Sequence, residues 1–189
     1  LNGMLTSLAT NYNRRNKDVR LYEMGNIYLP KQVPVTELPE ERMQFTLGMY
    51  GEGDFFTMKG VIEEFFYKVG MDQKITYDPK SGLTFLHPGR QANIIYNKKI
   101  VGYLGELHPI VANNYGIKDR IYVAVLDMPY IVDWATFDRK YEGIAKFPAA
   151  VRDISMVVPK EILAGDIEHI FEERFCISGV RDGLGYCVI

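Results

Sequence analysis

Two histidines and a carboxylate are the residues of this chain best suited to reactive chemistry. His87 stands in His87-Pro88-Gly89-Arg90, and Glu106 and His108 stand in Gly105-Glu106-Leu107-His108-Pro109. Two imidazoles with one carboxylate form a donor set that can hold a divalent metal and activate water for hydrolysis. On an extended backbone Glu106 and His108 share one side, yet no spacing ties His87 to them. Proline follows each of these histidines, as it does at turns, and the plainer reading is a hydrogen-bonded histidine that fixes a corner. No HExxH or CxxC pattern strengthens the metal reading. Arg90 is a candidate anion-binding or interface group. Its plainer alternative is a surface arginine paired with a neighbouring carboxylate.

Other reaction classes lack their residues. There is no GxSxG elbow for a nucleophilic serine, and the two cysteines, Cys176 and Cys187, lie together in the least organised stretch, where free thiols are expected rather than a disulfide framework. Neither GxxxxGK[ST] nor GxGxxG occurs. The pair Gly51 and Gly53 precedes Asp54, whose sign is wrong for holding a phosphate.

The elements that must position these residues follow from periodicity. Asn97, Lys98 and Lys99 read as a polar turn between Ala92–Tyr96 and Ile100–Leu104, whose β-branched and aromatic residues suit a hairpin. That places both His-Pro pairs just outside strand ends. Upstream, Leu1, Met4, Leu5, Leu8, Ala9 and Tyr12 recur at helical spacing. Residues 19–29 and 43–50 read as neighbouring strands across an exposed, proline-bearing loop at 31–41. Asp54 is placed to cap a helix whose stripe of Phe55, Met58, Val61, Ile62, Phe65, Phe66 and Val69 ends at Gly70, and such a stripe is core packing rather than a cofactor box. A short strand at 74–78, a brief helix ended by Gly116, a strand at 121–127 and a helical turn at 129–134 complete the pattern. Hairpin-length connections in irregular order imply an α+β fold, an antiparallel sheet flanked by helices. A strand over 146–158 and a helix over 162–171 follow a boundary near Glu142. The expected domains are therefore 1–141 and 142–189, the second with too little to bury a core of its own.

Composition narrows the function classes. The chain has 189 residues, 47% of them hydrophobic, and a formal net charge of −2, so it is globular and carries no global basic field for nucleic acid or anionic membrane. No apolar run approaches the ~20 residues of a membrane span, and the first residues lack the basic region of a signal peptide. A cytoplasmic location and no membrane partner are expected. The opening residue is Leu1, inside the first helical pattern, as in a piece of a longer chain.

Five phrases occur in the order found in one family. They are Leu21-Tyr22-Glu23-Met24-Gly25, Phe55-Phe56-Thr57-Met58-Lys59-Gly60, His87-Pro88-Gly89-Arg90-Gln91-Ala92, Gly102 to Pro109, and Lys146 to Ile154. The chain resembles the C-terminal half of the β subunit of bacterial phenylalanyl-tRNA synthetase. The resemblance implies a class II synthetase-like module over residues 1–141 that has lost catalysis and packs against α subunits in a heterotetramer. ATP and Mg²⁺ would serve the holoenzyme, with no cofactor in this chain, and tRNA(Phe) would be bound through the complete β subunit. Class II enzymes hold ATP with an arginine of an ArgxGlu motif. The nearest match is Arg20, before Leu21-Tyr22-Glu23, with the wrong spacing. From Lys146 the chain is similar to the start of a ferredoxin-fold anticodon-binding domain, truncated and divergent after about Glu173, with Lys146 and Arg152 as possible tRNA contacts. Phe55, Phe56, His87, Arg90, Glu106 and His108 then become interface or structural residues. The competing reading from another class is a stand-alone metal-dependent hydrolase built on His87, Glu106 and His108.

Overall fold

Helix α1 (Asn2–Asn13) buries Met4, Leu5 and Leu8, three of the residues whose spacing marks its apolar face. The computed structural model describes residues 1–71, 74–138, 154–159 and 161–175. Strands β1 (Val19–Leu29) and β2 (Glu40–Tyr50) pair antiparallel along their whole length, from Val19 opposite Tyr50 to Leu29 opposite Glu40. Because β2 starts at Glu40, the loop expected at 31–41 is shorter than the sequence suggested.

Helix α2 (Phe55–Lys68) begins where Asp54 accepts a 2.8 Å hydrogen bond from the Thr57 amide while its own amide donates to Thr57 Oγ1 at 3.2 Å. It ends at Gly70, whose φ of +73° suits glycine and whose missing Cβ would lie 2.3 Å from the Thr136 carbonyl. Met58, Ile62 and Phe66 are buried on this helix, each contributing ~1.5–3 kcal/mol. Val61, read from the sequence as part of the same stripe, is exposed. The apolar stripe is narrower than the residue types imply.

Strands β3 (Ile75–Asp78), β4 (Leu86–Tyr96) and β5 (Lys99–Leu107), helix α3 (Pro109–Asn114), strand β6 (Ile121–Asp127) and helix α4 (Met128–Trp134) follow. The strands form one sheet in the order β1-β2-β6-β5-β4-β3, every neighbouring pair antiparallel. Strand β6 is central, and its alternating residues feed two cores. Tyr122, Ala124 and Leu126 join α2, α4 and Ile94 on one face, whereas Ile121 and Val123 join α1, Leu86, Leu107 and Ala112 on the other. The antiparallel sheet with helices on both faces agrees with the architecture read from the sequence.

The β4–β5 turn is tighter than expected. Asn97 and Lys98 both have positive φ, 48° and 65°, and Tyr96 faces Lys99, so two residues make the turn and Lys99 already belongs to β5. The chain divides into two compact units, Leu1–Lys140 and Tyr141–Ile189. In the second, the described helix is α5 (Ala164–Phe175), two residues later at its start than the sequence pattern suggested. Residues 154–158, expected to end a strand, are not in a strand. A strand needs a hydrogen-bonded neighbour, and none pairs with them among the described residues. Lys146, Arg152, Cys176 and Cys187 lie outside the described residues.

Candidate functional site

The residues singled out for chemistry gather at the far end of the β4–β5 hairpin. Leu86 faces Leu107 and Gln91 faces Gly105, so the four residues His87-Pro88-Gly89-Arg90 oppose the single residue Glu106. This segment is thus a wide bulge inside β4 rather than a corner outside a strand end. Proline lacks an amide proton for the ladder, and the loop it helps to make bends away from β5. Gly105 lets the bulge fold back closely. A Cβ there would lie 2.9 Å from both the Arg90 carbonyl and Leu86 Cδ1.

The bulge returns Arg90 to the residue it skirts. Arg90 Nη2 donates to Glu106 Oε1 at 3.1 Å, and Nε approaches Oε2 at 2.6 Å in an ion contact that lacks hydrogen-bond angles. The Glu106 side chain is 3% exposed and that of Arg90 38%, so a buried carboxylate is neutralised by a guanidinium that still reaches solvent. Next to it the buried Gln91 accepts from the Ser81 hydroxyl and, at 3.1 Å, from the Leu83 amide, fastening the preceding loop to β4.

Neither histidine joins this pair. His87 Nδ1 accepts from the Gly89 amide at 3.1 Å, inside the bulge, and His108 Nδ1 accepts from the Ile110 amide at 3.3 Å, capping α3 ahead of Pro109. The His108 amide donates to the Phe85 carbonyl at 2.8 Å. Among the described residues no group of three His, Cys, Asp or Glu side chains is arranged to hold a metal ion, so the hydrolase reading fails on geometry. The ladder itself explains why. With Leu86 against Leu107, His87 lies beyond that pair in one direction and His108 in the other.

Sequence reasoning missed a second polar cluster at the opposite end of the hairpin. Arg42 donates from Nε to Asp127 Oδ1 at 2.9 Å and from Nη2 to Asp127 Oδ2, and its guanidinium stands 5.3 Å from the Tyr130 ring centre. These hydrogen bonds to Asp127 hold the Arg42 pKa above its ordinary range. Lys99 Nζ lies 3.4 Å from the Tyr130 ring centre and 5.8 Å from that of Trp134, which in turn packs against Tyr96 at 5.3 Å. The charges sit on the aromatic faces of α4. Residues 85 positions apart leave no local signal of such a pairing, although the sole tryptophan beside Tyr130 in a short helical pattern was visible.

Arg20 is tied down as well. Its Nη2 donates to the Glu52 carbonyl at 3.0 Å and lies 3.9 Å from Asp18 Oδ2. Of the two α2 aromatics proposed for an interface, Phe55 is half-buried against the core and Phe56 is 72% exposed. Among the described residues, no helix is long and apolar enough to cross a membrane.

Comparison with known proteins gives a consistent result. Residues 1–128 match the family described as the phenylalanyl tRNA synthetase beta chain CLM domain. The phenylalanine–tRNA ligase beta subunit of Clostridium acetobutylicum is 38% identical over 174 residues, covering 92% of this chain and 22% of that protein. That of Streptococcus thermophilus is 34% identical over 174 residues, covering 86% and 21%. The chain therefore spans about a fifth of the length of these relatives. Among solved structures, pyrrolysyl-tRNA synthetase from Desulfitobacterium hafniense shares the fold, with a TM-score of 0.54 at 10% identity over 69% of this chain and 46% of that one.

Proposed function

The chain belongs to the phenylalanyl-tRNA synthetase β-chain family, and we propose that it works there as a non-catalytic assembly module of phenylalanine–tRNA ligase. On this reading it supplies a class II-like sheet that packs against the α subunit, and ATP, Mg²⁺ and phenylalanine are handled by that partner. One observation carries it. The polar side chains that could have done chemistry are spent on the sheet itself: Arg90 neutralises Glu106, Arg20 holds the Glu52 carbonyl, and His87 and His108 accept from nearby amides.

Arg20, the arginine nearest to an ArgxGlu pattern, is poorly placed to hold ATP. An arginine that grips a triphosphate needs free, forked donors, whereas Arg20 is bound to a backbone carbonyl and lies near Asp18. Residues 142–189, with α5 as their described helix, extend the reading as the opening of a ferredoxin-like anticodon-binding domain. Lys146 and Arg152 would there be the contacts to tRNA phosphates, and the location would be cytoplasmic.

The chain alone should give no phenylalanine-dependent exchange of pyrophosphate into ATP, and it should co-elute with α subunit in size-exclusion chromatography. Exchange above background would overturn the non-catalytic assignment. Failure to co-elute would overturn the assembly role.

A further inference from the structure

Strands β1 and β2 continue past the point where the sheet supports them. The β2–β6 ladder ends with Gln44 opposite Asp127, and beyond it Asn26–Leu29 and Glu40–Met43 pair only with each other in the sheet. The cross-strand partner of Gln44 is Gly25. A glycine inside a strand has no side chain to brace it and often marks a bend, and a Cβ at Gly25 would meet no atom within 4 Å. An open cavity of about 110 Å³ lies beside this rung, lined in part by Gly3 of α1 and by Gly25, Ile27 and Gln44. Support is thus weakest at one rung, and there is room next to it.

Beyond that rung the two strands are held together as one piece. Asn26 Nδ2 donates to Glu41 Oε2 at 3.0 Å across the ladder, Lys31 pairs with Glu37 at 3.4 Å, and Gln32 donates to Thr36 in the connecting loop. A displacement here would therefore carry the ribbon as a body rather than unzip it. Arg42, on the ribbon side of Gln44, reaches back across the rung. It donates from Nε to Asp127 Oδ1 at 2.9 Å and from Nη2 to Oδ2, with the Tyr130 ring centre 5.3 Å away. Asp127 ends β6 and precedes α4, which buries Met128 and Ile131, so it belongs to the fixed body. A forked contact of this kind sets orientation as well as distance, and the two side chains, 32% and 13% exposed, are partly shielded from water. Glu40, another carboxylate acting on Arg42, lies on the ribbon itself and cannot tie it to the sheet.

We infer that the β1–β2 ribbon is a hinged arm, pivoting at Gly25 and Gln44 and latched to the body of the domain by Arg42 on Asp127. This device does not depend on the assembly role proposed above. A bend of about 30° at the rung would carry Tyr28, about 10 Å out along β1, through about 5 Å. The test uses the full chain with Cys176→Ser and Cys187→Ser, and spin labels at Tyr28→Cys on the ribbon and Ile110→Cys on α3, both exposed positions. Distances are read by double electron–electron resonance, and amide hydrogen exchange is measured on the same proteins. The latched parent should give one narrow distribution. Arg42→Met and Asp127→Asn should each add a second, displaced population. Adding Gly25→Val to Arg42→Met should narrow the distribution again, because a branched side chain stiffens the strand. Exchange in residues 26–29, 40–43 and 121–127 should stay as slow as in the parent. Latch variants whose distributions match the parent, or a parent that is already broad, would overturn the latch. A double variant as broad as Arg42→Met alone would overturn the pivot. Faster exchange within the ribbon would mean that it frays instead of swinging, and lost protection in β6 would make the ion pair a support of the sheet; either result overturns the hinged arm.

Discussion

Replacing Arg90 by methionine keeps most of the volume of its stem and removes the guanidinium that neutralises Glu106. The carboxylate, 3% exposed, would then be a buried charge with no cation beside it. Removing one member of a buried ion pair costs about 3–5 kcal/mol. The lower end applies here, because Arg90 is itself 38% exposed and water can enter the space it leaves. With an m-value of about 2 kcal/mol per molar urea, a loss of about 3 kcal/mol moves the unfolding midpoint down by about 1.5 M. The reciprocal change is milder. Glu106→Leu leaves a guanidinium that can turn to solvent and should cost only about 1 kcal/mol. The double variant Arg90→Met with Glu106→Leu should resemble Glu106→Leu, about 2–3 kcal/mol better than the sum of the two single changes. Fluorescence of Trp134, the sole tryptophan, reports on the unit that contains the pair. Equal costs for the two single variants, or strict additivity in the double, would refute the account of Glu106 as a carboxylate dependent on Arg90.

Three further outcomes follow from the packing and the cap. A Cβ at Gly48 would stand 2.9 Å from both Leu8 Cδ1 and Met4 Cγ, so Gly48→Val should overfill the α1 interface and cost about 1–3 kcal/mol in urea unfolding. Asp54 has its pKa lowered by the Thr57 amide hydrogen bond, so its cap is complete at neutral pH and is lost as pH falls through the lowered folded-state value. The gap in urea midpoint between wild type and Asp54→Ala should therefore narrow on acidification, and a constant gap from pH 7 to 3 would contradict the charged cap. Tyr77 Oη is buried without a hydrogen-bond partner, and burial pushes its phenol pKa well up. Tyr77→Phe should be neutral or stabilising by up to about 1 kcal/mol in thermal unfolding.

Legibility in the sequence followed the range of the interaction. Helix α2 was readable because its cap, stripe and terminal glycine all lie within one continuous segment, 54–70, and each obeys a local rule. The alternation of β2 and the buried run of β6 were readable for the same reason. Val61 was misread because residue type alone does not say how far round the helix the packing reaches, and the buried positions are Met58, Ile62 and Phe66. The bulge escaped detection because Pro88 and Gly89 signal a turn equally well outside a strand and within one, and only the register against β5 separates the two. The Arg42–Asp127–Tyr130 cluster is set by the β2–β6 and β6–α4 junctions, which no local pattern encodes.

The same ambiguity explains why this hairpin looks like an active site when read as sequence. Histidine, arginine and glutamate suit catalysis because they have directional donors and acceptors, and these also suit them to closing an irregular backbone. What distinguishes the uses is where each polar atom is committed. In a reactive site the donors converge on a space that a substrate can enter. Here each histidine turns Nδ1 to an amide two residues ahead, and Arg90 spans its own bulge to reach Glu106. These bonds replace the ladder hydrogen bonds that four residues opposite one must forgo, and the Arg90–Glu106 pair can form only in this register of β4 on β5. A one-residue slip would leave the carboxylate buried and unpaired, so the pair excludes neighbouring registers more than it adds stability.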